Sequence, residues 1–220
     1  MVISVAATSI VDAIANDLRE RLFSGVLTPA AALTETDIAG TYDVARPTAK
    51  AAIERLVAEG LLVRGAHKTA RVADLGPDAV RDIYLARAYL ESEVVRRLAG
   101  ARSVPVEAIR ANAEIAALTD ESPLTVVAPD MRFHLSLIDA VGNERISKMY
   151  RSLVGEVRLC MTRVQALKLL DTMMIHDEHE RILGFLGAGD SEAAAELLDE
   201  HLARARERLA AALDGPGELA

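Results

Sequence analysis

The sequence predicts a mainly α-helical chain in two parts. The first is an N-terminal winged helix-turn-helix, three helices plus a small β-hairpin. The second is an all-α antiparallel helical bundle. Three observations predict this. Apolar residues recur at three- and four-residue spacings through most of the chain, the period of an amphipathic helix. Ala and Leu dominate while aromatics make up only 3% and Trp is absent, which favours helix over sheet. The one β-prone stretch, residues 61–73, is short and follows three helical segments.

In order along the chain, residues 8–24 carry Ile10, Ile14, Leu18 and Leu22 four apart, with charges between them. Gly25 ends that helix and Pro29 follows. Thr34 and Asp37 form a capping pattern that opens a short helix over 35–41. Residues 42–44 make a tight connection. A third helix spans 46–59, with Pro47 in its first turn, where a missing N–H costs nothing. Its apolar positions are Ala49, Ala52, Ile53, Leu56 and Val57, and Gly60 stops it. Residues 61–64 and 70–73 then flank 65–69 as a small hairpin. After Gly76-Pro77 the pattern is wholly helical, with helices near 78–100, 105–119, 122–141, 143–168, 172–187 and 190–213. Gly142-Asn143 separates two of them, and Gly187-Ala-Gly-Asp190 gives a stop followed by an Asp cap. The expected domains are 1–73 for the winged helix, 74–78 as linker, 79–213 for the helical bundle and 214–220 as a flexible tail.

Composition removes several function classes. The chain of 220 residues is 51% hydrophobic, enough for two cores. One cysteine, Cys160, excludes an internal disulfide framework and lies on the stripe of Met149, Leu153, Val157 and Val164, a core position. No run approaches the ~18 apolar residues that span a bilayer. The apolar start lacks a basic flank before Arg19, so a signal peptide is not expected. A cytoplasmic location is the expectation, with no membrane partner. The net charge of −8 is uneven: residues 1–72 hold 8 basic and 8 acidic residues, and residues 73–220 hold 17 and 25. The acidity lies entirely in the second part. A neutral first part can still turn a basic face to phosphates.

In a helix-turn-helix the second helix of the pair enters the major groove of double-stranded DNA with its first turns. Here that helix begins with Arg46, Thr48 and Lys50. Arg46 suits guanine or a phosphate by its two-pronged donors. Lys50 suits phosphate, and Thr48 a thymine methyl or a backbone oxygen. His67, Lys68 and Arg71 in the hairpin are candidates for the DNA backbone or minor groove. Each alone is as readily a solvated surface charge. The order of elements carries the argument.

The segments Leu18-Arg-Glu-Arg-Leu-Phe-Ser-Gly25, Leu33-Thr-Glu, Asp37-Ile-Ala and 45–62 (ARPTAKAAIERLVAEGLL) resemble the GntR superfamily of bacterial regulators across residues 8–73. The chain departs from the common pattern at Thr36 (Arg in many members), Ala45 (Ser), Ala51 (Glu) and Thr69 (Gly).

The second part has four histidines, three of them on apolar helix faces. His134 aligns with Val127, Asp130, Met131, Leu137 and Ile138. His179 aligns with Ile175, Ile182, Leu183 and Leu186. His201 aligns with Leu197, Leu198, Ala205 and Leu209. Asp130 and His134, four apart, project from one face one turn from each other. A carboxylate on an apolar stripe needs compensation, and a divalent cation supplies it. Asp130, His134, His179 and His201 would make an N₃O site across helices of a bundle. Hydrogen-bonded core histidines are the plainer reading, and His176 is the alternative to His179. The expected cofactor is a divalent transition metal, zinc foremost, with nickel, manganese and iron as alternatives.

Residues 78–211 resemble the FCD ligand-binding domain of FadR-type GntR regulators, through Asp82-Ile-Tyr-Leu-Ala-Arg-Ala-Tyr-Leu-Glu91, Asp130-Met-Arg-Phe-His134, Ala140-Val-Gly-Asn143, Asp177-Glu-His179-Glu-Arg-Ile-Leu and Glu200-His201-Leu. The resemblance implies that Asp130, His134, His179 and His201 bind a metal and that the effector is an organic acid. Arg87 lies on the inward stripe of Val80, Ile83, Leu90 and Val94. It either pairs with an acid such as Glu91 or meets a small carboxylate effector at the metal. The expected function is a homodimeric, DNA-binding repressor released from its operator by that effector. The alternatives are the same regulator with a purely structural metal, and a metal-dependent hydrolase using the Asp/His₃ site with Glu178 or Glu180 as base.

Overall fold

The computed structural model describes residues 9–65, 69–118, 123–165 and 171–214. They divide into two compact units, Met1–Asp74 and Leu75–Ala220.

In the first unit, α1 spans Ile10–Phe23, α2 Glu35–Tyr42 and α3 Arg46–Ala58. Ser9 caps α1 by accepting from the Asp12 N–H, which satisfies one of the helix's orphan donors. Ile14, Leu18 and Leu22 are buried as their spacing predicts, whereas Ile10, in the first turn, is 57% exposed. Thr34 caps α2 as the Thr-x-x-Asp pattern foretells: its hydroxyl accepts from the Asp37 N–H at 3.1 Å and donates to the Asp37 carboxylate at 2.7 Å. Asp43 then turns the chain in the left-handed region (φ 50°), a conformation Asp tolerates better than most residues. Ala49, Ala52, Ile53 and Leu56 bury one face of α3 against α1 and α2. Arg19 grips Glu59 with two hydrogen bonds of 2.8 and 2.9 Å, tying α1 to the end of α3.

The hairpin is β2 (Leu62–Arg64) paired antiparallel with β3 (Ala70–Val72). A further strand, β1 (Ala32–Leu33), pairs with the other edge of β3, giving the order β1-β3-β2. Pattern reading missed β1 because a two-residue strand has no period to detect.

The second unit contains α4 (Pro77–Gly100), α5 (Val106–Ala116), α6 (Pro123–Ala140), α7 (Glu144–Gln165), α8 (Thr172–Ala188) and α9 (Ser191–Asp214). Where both lie within the described residues, predicted and observed ends agree to within three residues, and several starts carry caps. Asp171 accepts from the N–H groups of Met173 and Met174. Asp190 accepts from the Ala193 N–H. The stop before it is Gly189, at φ 82°, a left-handed conformation that a side chain would strain. The predicted helix over 122–141 contains Pro129 in its interior, so one rung of its hydrogen-bond ladder is missing directly before Asp130. α4 packs along α9, α8 lies against α5 and α9, and α6 bridges α5 and α7. Cys160 is fully buried, a core position. No described helix is long and apolar enough to cross a membrane. The predicted tail beyond residue 214 lies outside the described residues.

Candidate functional site

The first unit presents α3 with its first turn open. Arg46 and Lys50 are exposed and Thr48 is half-buried. Neither cation makes an ion pair among the described residues. Ala45 stands at the N-cap and supplies no capping side chain, its carbonyl accepting from the Thr48 N–H at 2.9 Å, and Pro47 brings no N–H to the first turn. Arg71 is exposed on β3 and donates to the Ala30 carbonyl at 3.0 Å, fastening the strand to the chain before β1. His67 and Lys68 lie outside the described residues. Thr36 is exposed on α2.

In the second unit, α6 brings Asp130 and His134 to face His179 of α8 and His201 of α9. One donor atom from each of the four lies within 4.8 Å of the others, and all four residues are buried. His176, the alternative, is half-buried and points elsewhere, its Nδ1 3.3 Å from the Asn112 carbonyl oxygen. The distances within the cluster exclude direct pairing. Asp130 Oδ1 lies 3.7 Å from His179 Nε2 and 3.9 Å from His134 Nε2, beyond hydrogen-bond reach. His134 Nε2 and both His179 nitrogens are buried without a partner. Orphaned donors and acceptors of this kind are rare because each costs about 1–3 kcal/mol. Two atoms that share an ion at about 2.0–2.2 Å each lie roughly 3–4 Å apart. The residues therefore fit a divalent transition metal held by three imidazoles and one carboxylate, a set compatible with zinc, nickel, manganese or iron.

The surroundings complete the chemistry. Glu91 of α4 is fully buried; its Oε2 meets His134 Nδ1 at 2.5 Å, and its Oε1 accepts from Arg87 Nε at 2.8 Å and from the Tyr150 hydroxyl at 2.9 Å. Burial opposes the charge on Glu91, but Arg87 and then His134 outweigh it and hold the carboxyl well below its usual range. Glu178 meets His201 Nδ1 at 2.7 Å and also takes Arg204. It too is held below the ordinary value, His201 and Arg204 overcoming partial burial. His179 has no such carboxylate and stacks on Phe133, ring centroids 3.6 Å apart. Burial, reinforced by His201 and His134, pushes its imidazole well below the usual range, so it is neutral near pH 7 with a lone pair to give.

Arg87 pairs with Glu91, the plainer of its two expected roles, yet one side of its guanidinium remains: Nη2 is buried and unpartnered. The Tyr84 hydroxyl is likewise buried without a partner, and the guanidinium lies over its ring, 5.0 Å from the centroid. Tyr84, Arg87, Asp130 and His201 line one narrow cavity of about 30 Å³, room for a water or two. Sequence reading missed Tyr84, Tyr150 and the contacts of Glu91 with His134 and of Glu178 with His201. For Tyr84 and Glu91 a signal exists, since both share the inward face of α4 with Arg87. The two carboxylates weighed as hydrolytic bases are otherwise engaged: Glu178 holds His201, and Glu180 accepts from Asn112 Nδ2 at 3.3 Å.

Comparison with known proteins agrees with both units. The profile of bacterial regulatory proteins of the gntR family matches residues 10–72, and that of the FCD domain matches residues 82–204. The Nta operon transcriptional regulator of Aminobacter aminovorans is 26% identical over 178 residues, 79% of this chain and 82% of that protein. A GntR transcriptional regulator from Rhodococcus sp. RHA1 superposes with a TM-score of 0.76 at 26% identity, covering 92% of this chain and 98% of that one. McbR/YncC of E. coli shares the fold, with a TM-score of 0.71 at 18% identity over 92% and 98% of the two chains.

Proposed function

Because this chain belongs to the GntR family of transcription regulators and carries an FCD domain, we propose that it is a metal-dependent repressor released from its operator by a small carboxylate. The family makes it a regulator and not an enzyme. The observation that carries the finer reading is the buried Asp130/His134/His179/His201 cluster, two of whose members, Asp130 and His201, line a cavity with Arg87, whose Nη2 is unpartnered.

Asp130, His134, His179 and His201 hold the ion. When bound, a divalent transition metal supplies Lewis-acid positions for a carboxylate's oxygens. Arg87 Nη2 and the Tyr84 hydroxyl donate to the same carboxylate, and neither gives up a bond to do so. A cavity of about 30 Å³ is too small for most organic acids, so binding requires its wall to open. An effector that favours the opened state shifts the population toward it. In a homodimer reading half-sites about 34–36 Å apart, that shift changes the spacing of the two α3 helices. Arg46, Thr48, Lys50 and Arg71 are the DNA-facing residues of the described chain, with His67 and Lys68 completing the set.

The test is elemental analysis of purified wild type beside His134→Ala and His201→Ala, followed by an organic-acid screen for operator release. About one transition metal per chain, absent from both variants, is expected, with release by an acid that fails in Asp130→Ala. Wild type that stays metal-free after reconstitution would end the metal reading. The narrow cavity favours a second reading, a purely structural ion. Operator release that no acid provokes, together with a metal-dependent melting temperature, would select it.

A further inference from the structure

Two carboxylates sit behind the cluster, and neither belongs to the ligand set. Each contacts a histidine at Nδ1, and in His134 it is the other nitrogen, Nε2, that lies 3.9 Å from Asp130. An ionised carboxylate can only accept hydrogen bonds. A histidine nitrogen bonded to it therefore carries the proton, and the other nitrogen keeps its lone pair. Glu91 does this to His134 at 2.5 Å and Glu178 to His201 at 2.7 Å.

We infer that Glu91 and Glu178 are the positioning residues of the metal centre, fixing His134 and His201 with the proton on Nδ1 so that both Nε2 lone pairs face Asp130 and His179. This rests on the metal reading above and deepens it. The two carboxylates are themselves held. Arg87 and Tyr150 fix the other oxygen of Glu91, and Arg204 fixes the other oxygen of Glu178. Glu91 thereby joins α4, α6 and α7 at one point, and its partner Arg87 is also the cation of the cavity. His179 lacks a carboxylate and is oriented by its stack on Phe133. The centre thus has two imidazoles whose proton is placed and one whose ring plane is placed.

Such partners raise the basicity of the ligand and remove its rotational freedom, and losing one costs about 10–100-fold in metal affinity. Zinc affinity of the full chain is measured at one pH by competition with a chromophoric chelator, for wild type, Glu91→Gln, Glu178→Gln and the control Glu93→Gln, exposed on the same helix. The expected result is zinc binding weakened about 10–100-fold in the first two variants and unchanged in the control, with circular dichroism of the metal-free proteins unaltered. Long-range ¹H–¹⁵N correlation spectra of the imidazoles supply a second readout. In wild type, His134 and His201 are expected as Nδ1–H tautomers, a state that a merely structural role would not require.

Glu178 lies at the edge of the core, so its variant decides the matter even if Glu91→Gln fails to fold. Wild-type zinc affinity in Glu178→Gln, or protons found on Nε2, overturns the inference while leaving the metal reading intact. Wild type that takes up no zinc overturns both.

Discussion

At the residue scale, His179 is the most exacting of the four cluster members. It is buried, stacked on Phe133 and without a hydrogen bond at either nitrogen. Burial holds its pKa well below the ordinary value, so the folded chain keeps it neutral while the unfolded chain binds a proton near pH 6.5. Unfolding therefore takes up a proton below that pH, and stability falls as pH falls through about 6.5, at most by about 1.4 kcal/mol per pH unit. Metal-free protein, kept so with chelator, is expected to melt lower at pH 5.5 than at pH 7.5. The same scans on His179→Leu should be flatter. An equal pH dependence in both would show that the neutral imidazole contributes nothing. The carboxyls of Glu91 and Glu178 are also held below their ordinary values, but there the fold favours the charged form, so their stabilisation is present above the ordinary carboxyl range and lost as pH falls below it.

At the element scale, the departures from the family pattern acquire local causes. Ala45 stands where many relatives carry Ser, at the N-cap of α3. Without a side-chain oxygen, the Thr48 N–H of the first turn is met by the Ala45 carbonyl alone, at 2.9 Å, where a capping hydroxyl would offer a second acceptor. The extended backbone at Ala45 (φ −66°, ψ 145°) already suits a capping serine. Ala45→Ser is expected to stabilise the first unit by about 0.5–2 kcal/mol, read as a higher urea midpoint with unchanged slope. A midpoint at or below wild type would show that the cap geometry is not met. β1 makes a different point. Its two residues become a strand only because Ala32 and Leu33 meet Arg71 and Ala70 of β3, a partnership far away in sequence. Pro129 is a third case: periodicity carries α6 straight through it, and Val126, Val127 and Met131 bury the same face on either side.

For the whole molecule, the cluster joins α6, α8 and α9, and through Glu91 also α4 and α7. An ion binding there stabilises the folded state alone, by about 2.7 kcal/mol when free metal exceeds its dissociation constant a hundredfold. The second unit's melting temperature is expected to rise by several degrees on zinc loading and to return on chelation. That of the first unit, which holds no ligand of the cluster, should stay put. Equal shifts in both transitions, or none, would argue against a site confined to the helical unit.

The sequence by itself determined the helices, several of their caps, the winged helix-turn-helix order and the placing of Asp130, His134, His179 and His201 on inward helix faces. These are local properties: a period of 3.6, a four-residue spacing, a cap three residues from its N–H. Only the tertiary structure decided what surrounds them. Glu91 reaches His134 across 43 positions and Tyr150 across 59, and no periodicity along one helix reveals a partner on another. The same holds for β1 and for the buried nitrogen that Arg87 keeps unpartnered while it pairs with Glu91. Helix faces are written in residue spacing, whereas convergence between helices depends on how those faces pack.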